Sequence, residues 1–418
     1  MSISSSMLLA GGAMETYSNT LAVAGDNIAN SNTVGFRESR FILEDLLPTV
    51  NGSNETGQGV RLADVTKPFQ QGALETTPNA TDLAVSGSGF FIVRDPRTSA
   101  LYYTRAGQFH LDGSGRLVNV SGLVLQGTAG DIAIGASPTL PAQATSRVAL
   151  TLNLDAGQTT PSQAFPAGPD ATSGAWIAAA NFSSSMTVYD SLGAAHDLLF
   201  LYRRTGTNTW EYRVVAARSE LDASAPNSAE LREVSAPGTL VFTSTGQLDA
   251  AASTLTDMNG LNWVNGASQT IAASGLSFAG TVQYGQPSFV FSAQQDGSPQ
   301  GFLTSINIDG QGVITGRFSN GQSRALGGIV LANFTNVDDL EPLGDTLFQP
   351  TIESGPAKTG VPDQNGLGSI VSGTLEMSTV DLAEQFISLI TSQRAFQANS
   401  QVVSTASEMY AVAVELKP

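Results

Sequence analysis

Large apolar residues recur at every seventh position near the start of this chain. They form two neighbouring rows: Met7, Met14, Leu21 and Ile28 in one, and Ile3, Ala10, Tyr17 and Ala24 in the other. A spacing of seven returns a side chain to the same face of an α-helix. The pattern therefore predicts an N-terminal helix with a narrow apolar stripe, ending near Asn30 where residues that favour turns begin.

The C-terminal segment carries the same periodicity over a greater length. One row contains Leu375, Leu382, Leu389, Phe396, Val403 and Tyr410, and a second contains Ala395, Val402, Met409 and Leu416. The position that would complete a two-stranded coiled coil instead holds Gln385, Ser392, Asn399 and Ala406. A broad, offset apolar face of this kind favours lateral packing among several neighbours. An antiparallel pair of the two helices inside one monomer is the alternative that the pattern leaves open.

The long middle of the chain reads as short strands separated by glycine-rich turns. We therefore expect a mainly β fold with α-helical termini, in which nested β domains resemble sandwiches or barrels and the helices pack in a coiled-coil-like layer on assembly. The predicted division is residues 1–30 with 380–418 as a helical assembly domain, 31–70 with 363–379 as a linker region, 71–144 with 281–362 as an inner β domain, and 145–280 as an inserted outer β domain. Within the linker region, residues 48–59 are rich in Gly, Asn, Ser and Glu.

Composition excludes several classes of function. The formal net charge is −17, only 13% of residues are charged, and no basic patch occurs. We therefore expect no nucleic-acid partner and no anionic membrane surface as a partner. The chain has no cysteine and two histidines, so we expect no thiolate metal site, no other metal site and no cofactor. The N-terminal segment lacks the basic start of a signal peptide, and no apolar run is long enough to insert into a membrane.

Motifs that carry catalysis are also missing. No nucleophile elbow, zinc-protease, phosphate-loop or dinucleotide-binding signature occurs. The cluster of Tyr189, Asp190, Ser191 and His196 could be read as a nucleophile with its base, but Asp190-Ser191-Leu192-Gly193 is typical of a turn between two strands. We therefore expect no catalytic residues and no enzyme activity.

Several segments resemble the bacterial flagellar rod and hook axial proteins, a family of tube-forming subunits. Residues 26–36, DNIANSNTVGF, resemble its N-terminal signature, whose turn includes Asn27, Asn30, Gly35 and Phe36. Residues 373–382 and 393–400 resemble its C-terminal signature, and residues 80–91 and 103–109 resemble its inner domain. Residues 186–193, MTVYDSLG, are similar to the outer domain of the hook members in particular, which the shorter rod members lack.

This resemblance implies a hook subunit: a self-associating protein of a curved helical tube that acts as a universal joint between motor and filament and encloses an export channel. It implies an extracellular location in the flagellum, reached without a cleaved signal peptide. The implied partners are further copies of the chain, the rod, hook-cap and hook–filament junction proteins, and the flagellar export apparatus. The apolar rows named above, from Met7 to Ile28 and from Leu382 to Tyr410, would then be the assembly interface. The alternatives are a distal-rod-like subunit and a secreted β-rich carbohydrate-binding protein.

Overall fold

The computed structural model describes residues 3–46, 49–51, 54–56, 59–135, 138–221 and 230–415. Four α-helices lie within these ranges: α1 (Ile3–Ala29), α2 (Ser173–Ala178), α3 (Arg218–Leu221) and α4 (Leu382–Glu415). Short strands make up most of the remaining regular structure, so the predicted class, mainly β with helical termini, is confirmed. In the part of the chain that the structure describes, no helix is both long enough and apolar enough to span a membrane.

The local sequence explains where the terminal helices begin and end. Helix α1 ends at Ala29, where the Asn30 backbone N–H donates to the carbonyls of both Asp26 and Asn27 and the chain turns away. Helix α4 begins after Asp381, whose Oδ1 accepts the backbone N–H groups of Ala383 at 2.8 Å and Glu384 at 3.3 Å. This carboxylate is an N-cap, because it satisfies two of the amides that the first turn leaves without partners.

The chain folds into two compact units. The first consists of Met1–Pro138, Thr304–Arg317 and Ser323–Pro418, and the second of Thr139–Leu303 and Phe318–Gln322. The second unit is therefore an insertion in the first. Strands Gly301–Ile308 and Val313–Phe318 contain residues of both units.

The first unit is built on a ten-stranded sheet. Its main path is Glu341–Gly344, Leu347–Gln349, Leu101–Thr104, Phe90–Arg94, Val124–Gly127, Leu117–Val118 and His110–Leu111, with Gly130–Asp131, Leu331–Asn333 and Lys358–Gly360 attached at its sides. Aromatic rings of Phe69, Phe90, Tyr103, Phe334 and Phe348 meet edge to face on this sheet. Such contacts add directional packing to the apolar burial.

Smaller ladders connect the sheet of the first unit to the terminal helices. They are Arg40–Asp45 with Val60–Thr66, Thr49–Asn51 with Asn54–Thr56, Leu83–Ser86 with Ser369–Ser372, and Leu74–Thr76 with Thr374–Glu376. Strands Val313–Phe318 and Ser323–Gly328 pair beside Gly301–Ile308. The ladders of residues 74–86 with 369–376 join segments from the two halves of the chain.

The second unit has a six-stranded sheet and two smaller sheets around one apolar core. The six strands are Asp170–Ala171, Leu231–Glu233, Thr209–Ala217, Ala195–Gly206, Phe182–Tyr189 and Gly238–Val241. The smaller sheets are Leu276–Ser277 with Val148–Asn153 and Phe289–Gln295, and Met258–Asn262 with Ser268–Ile271; Thr139–Leu140 pairs with Gly301–Ile308. Leu150, Phe200, Trp210, Leu261 and Phe278 from these elements are all buried in the shared core.

Two parts of the predicted division differ from the structure. The sequence predicts that the chain returns from the outer to the inner domain at residue 281. In the structure, strand Phe289–Gln295 pairs with Val148–Asn153, so the second unit continues to Leu303. The linker region 31–70 contains the regular ladder of Arg40–Asp45 with Val60–Thr66. Within the glycine-rich stretch 48–59, residues 48, 52–53 and 57–58 lie outside the described residues, as does Leu416. The finer division of the first unit stays a prediction.

Candidate assembly interface

Helices α1 and α4 pack against each other in antiparallel fashion through small and polar side chains. The Thr20 hydroxyl donates to Ser392 Oγ at 3.0 Å, and Asn27 Nδ2 donates to Gln385 Oε1 at 3.0 Å. All four side chains are buried. Each pair lies one heptad from the other on both helices, and continuing the same register places Ala13 opposite Asn399. We call this row, Ala13, Thr20, Asn27, Gln385, Ser392 and Asn399, the polar seam.

The polar seam is the row that interrupts the apolar pattern of α4. Its two hydrogen bonds fix the register of the helices, since a shift by one residue would leave buried polar atoms without partners. The intramolecular helix pair that the sequence left open as an alternative is therefore present, and buried polar side chains lie in its contact.

The predicted interface residues lie beside the seam. On α1, Ala10 and Ala24 are buried, while Met7, Met14, Tyr17, Leu21 and Ile28 are half-buried. On α4, Leu389, Phe396 and Val403 are half-buried, while Leu382 and Tyr410 are exposed. One member of the C-terminal row is wrongly placed: Leu375 lies in strand Thr374–Glu376, before the helix begins.

Exposed apolar side chains are concentrated on α4. Eight large ones are exposed on this helix: Leu382, Phe386, Ile387, Ile390, Val402, Met409, Tyr410 and Val412. Only four charged residues occur along its 34 positions, Glu384, Arg394, Glu408 and Glu415. Exposed apolar side chains with so little charge around them are typical of a surface that another protein covers.

The turn after α1 is held by its own asparagines and by the C-terminal segment. Asn27 Nδ2 donates to the Ser39 carbonyl and its Oδ1 accepts the Ser39 N–H, both at 2.8 Å. Asn30 Nδ2 donates to the carbonyl and to Oδ1 of Asp26, and the Thr33 hydroxyl donates to Asn30 Oδ1. Phe36 is half-buried, with the Lys67 ammonium 5.6 Å from its ring centre. The sequence-predicted turn residues therefore act as a structural join.

Gly35 requires glycine for two independent reasons. Its φ is +72°, and a Cβ added there would lie 2.6 Å from the backbone nitrogen of Ala106. Its N–H donates to the Glu376 carbonyl at 2.8 Å, which links the N-terminal turn to the strand preceding α4.

A buried ion cluster completes this join. Glu376 is fully buried and accepts Arg37 Nη2 at 2.7 Å and the Gly72 N–H at 2.9 Å through Oε1, and Arg105 Nη1 at 3.3 Å through Oε2. Arg105 also donates to the carbonyls of Val85 and Gly87. Burial lowers the pKa of Arg105 to about 10; the nearby Glu376 carboxylate opposes this and the second guanidinium, Arg37, adds to it. One carboxylate thus pairs with two buried cations, and the three side chains come from three separate segments.

The cluster that could be read as catalytic is a structural turn of the second unit. Asp190 Oδ1 accepts the backbone N–H groups of Leu192 and Ala194, and Oδ2 accepts Asn265 Nδ2 and lies 3.0 Å from His196 Nε2. Burial opposes ionisation of Asp190, but these hydrogen bonds outweigh it and lower its pKa to about 2. His196 also lies 2.7 Å from Glu220 and stacks on Trp263 with ring centres 3.6 Å apart. The described contacts of Ser191 include no bond to this histidine.

Sequence reasoning missed the polar seam, Glu376 and Arg105. For Glu376 a signal exists, because it is an acidic residue with the apolar neighbours Leu375 and Met377. A carboxylate in such a setting is costly to bury alone, so a cationic partner is expected. For the seam, the signal is the polar heptad row itself, which matches an equally spaced row of small residues on α1.

Four family models match the chain, and together they cover most of it. They are a flagella basal body rod protein model at residues 7–37, a flagellar hook protein FlgE/F/G D1 domain at 84–152, a flagellar basal body protein FlaE D2 domain at 153–298, and a flagellar basal body rod FlgEFG protein C-terminal model at 371–416. The terminal matches contain the polar seam and the turn of residues 27–37.

Full-length relatives agree with these matches. The chain is 33% identical to the flagellar hook protein FlgE of Escherichia coli (strain K12) over 95% of this chain and 96% of that protein. It is 34% identical to flagellar hook protein FlgE of Rhizobium meliloti (strain 1021) over the full length of both. The crystal structure of Helicobacter pylori flagellar hook protein FlgE2 is similar in fold, with a TM-score of 0.52 and 16% identity over 72% of this chain and all of that one.

Proposed function

The chain belongs to the flagellar hook protein family, and from that premise we propose that it is a structural subunit of the bacterial flagellar hook that polymerises through its terminal helices. The single observation that carries the mode of assembly is the exposed apolar surface that α4 keeps although α1 and α4 are already paired. Copies that pack side by side bury this face and gain about 25 cal/mol for each Å² of apolar surface removed from water.

The same proposal assigns the remaining properties. The polymer is a curved tube that transmits torque as a universal joint and encloses a channel through which subunits are exported. Its ends bind rod, hook-cap and hook–filament junction proteins, and the subunit reaches the extracellular hook through the flagellar export apparatus. We assign it no catalytic activity, because the one candidate cluster, around Asp190, is occupied by turn and packing contacts. The outer-domain match at residues 153–298 favours a hook over a rod subunit.

Charge placed in the apolar rows tests the mode of assembly. We expect Leu389→Asp and Phe396→Asp to abolish polymers, because each would bury a carboxylate without a partner between copies. Negative-stain electron microscopy of the full-length protein in an ammonium sulfate series measures this, since sulfate strengthens apolar burial.

Ile352→Asp is the matched control, as Ile352 is 94% exposed on a loop. This control variant should form tubes like those of the unchanged protein. Wild-type-like tubes from both α4 variants would contradict assembly through the apolar row that contains Leu389 and Phe396. Straight tubes from the unchanged protein would shift the assignment to a rod-type subunit.

A further inference from the structure

A groove lies beside the polar seam at the free end of the helix pair. Ser6 of α1 lines it together with Ala398, Val402, Thr405, Ala406 and Met409 of α4, and its volume is about 460 Å³. Most of these side chains are small, so the groove can receive larger apolar side chains from another helix, as a hole receives a knob in helix packing.

The opposite end of α4 presents larger side chains. Phe386, Ile387 and Ile390 are 50%, 66% and 47% exposed and lie within two turns of each other. We call these three residues the apolar patch. The four charged residues of α4 give neither surface a predominant charge. Charge therefore does not direct an acidic or a basic partner to them, and apolar shape complementarity remains as the basis of recognition.

The groove and the apolar patch face different directions. About 15 residues separate their centres, which corresponds to roughly 22 Å along the helix axis. With 3.6 residues per turn, the two surfaces also point roughly a quarter turn apart around the helix axis. Two different neighbours can therefore contact these surfaces, one on each side.

We propose that the apolar patch of one copy inserts into the groove of a second copy. This inference rests on the proposed function and specifies which surfaces of α4 meet. The contact is heterologous, since it joins unlike surfaces, and it leaves a free groove at one side and a free patch at the other. Repetition of such a contact produces an open-ended assembly, whereas a patch-to-patch contact would stop at a dimer.

Engineered cysteines test the contact directly, because the natural chain has none. Each variant carries one cysteine in the patch, at Phe386, Ile387 or Ile390, and one in the groove region, at Val402 or Thr405. Even the nearest pair, Ile390 and Val402, lies roughly 18 Å apart along one helix. A disulfide requires Cα atoms within about 7 Å, so these pairs cannot close within one copy.

We expect at least one of the six double variants, oxidised as polymer, to give a ladder of covalent multimers on a non-reducing gel. The matched control pairs Val402→Cys with Ile352→Cys, which lies on an exposed loop outside the patch, and it should stay monomeric on the gel. Single-cysteine variants extend the test: a covalent dimer from Ile387→Cys alone would show a patch-to-patch contact and overturn the proposal.

The outcomes separate this inference from the proposed function. If the unchanged protein forms no polymer under any salt condition, self-assembly itself fails. If polymers form but none of the six double variants gives a ladder, self-assembly stands and the patch-in-groove contact is wrong. Because six pairs are tested, a conclusion is still reached when one double variant fails to assemble.

Discussion

Individual residues at the join between the terminal segments and the β structure are tightly constrained. Gly35 occupies a left-handed backbone conformation against the backbone of Ala106, and Asn27 bonds simultaneously to Ser39 and Gln385. Neither constraint involves a substrate or a ligand. They hold the end of α1 in one orientation, so the geometry of this turn explains why these residue types occur there.

Substitution of Gly35 tests that constraint. We expect Gly35→Ala to lower the free energy of unfolding by roughly 2 kcal/mol or more, because a left-handed alanine costs about 1–2 kcal/mol and its Cβ also contacts Ala106 too closely. Loss of the helical far-UV circular dichroism signal in urea measures it.

Gly11→Ala provides the matched control within α1. A Cβ at Gly11 meets no atom within 4 Å, so this change should stabilise the helix by roughly 1 kcal/mol. Equal effects of the two substitutions would contradict the role given to Gly35.

Asp190 makes the second unit sensitive to acid. Its pKa in the folded protein, about 2, lies below the ordinary value of 3.8, so its contribution to stability is fully present above pH 4 and is lost as the pH falls towards 2. We expect Asp190→Asn to destabilise the unit by about 2 kcal/mol at pH 7 and to remove this part of the pH dependence.

Tryptophan fluorescence can follow the second unit selectively, since all three tryptophans, Trp176, Trp210 and Trp263, belong to it. The exposed Asp197→Asn serves as control and should leave the acid profile unchanged. An unaltered slope between pH 4 and 2 in the Asp190 variant would refute the assignment.

At the scale of elements, strand Thr374–Glu376 is the point where the N-terminal turn, the inner sheet and α4 are joined. It pairs with Leu74–Thr76, accepts the Gly35 N–H, and carries the carboxylate shared by Arg37 and Arg105. The ion cluster therefore holds three segments together through one buried carboxylate.

We expect Glu376→Gln to cost about 3–5 kcal/mol, because it leaves two buried guanidinium groups without a counter-charge. The loss should appear as faster amide hydrogen exchange in α1 and α4, with tryptophan fluorescence of the second unit unaffected. Glu353→Gln, on an exposed loop, should change neither signal. A loss below about 1 kcal/mol would mean that water or another group compensates the arginines.

Elements with a regular period were predictable from sequence, and contacts between distant segments were not. Helix α1 ends at Ala29, one residue before the predicted stop near Asn30, and the long middle of the chain forms short strands as expected. The partner of Phe289–Gln295 was missed, because nothing in its composition distinguishes the second unit from the first. The polar seam was missed because apolar periodicity normally marks the intramolecular contact. Here the apolar rows are instead partly left exposed.

At the scale of the whole molecule, exposed apolar residues are concentrated on α4, whereas most charged residues lie elsewhere in the chain. The exposed large apolar residues of α4 lie on a helix with four charges, while the chain as a whole carries a net charge of −17. If copies associate through the helices as proposed, a weakly charged surface becomes buried and most of the negative charge stays exposed, where salt screens it.

The polar seam also bears on the order in which the chain folds. Asn27 and Gln385 are 358 positions apart, and the Thr20–Ser392 bond spans 372. Closing so long a loop in an unfolded chain costs conformational entropy that two hydrogen bonds do not offset. Once the ladders of residues 74–86 with 369–376 have formed, the loop left to close is shorter, because it runs only through residues 28–73 and 377–384. We therefore expect the β structure to form first and the paired terminal helices last, so that the surface proposed for polymerisation arises only on a finished molecule.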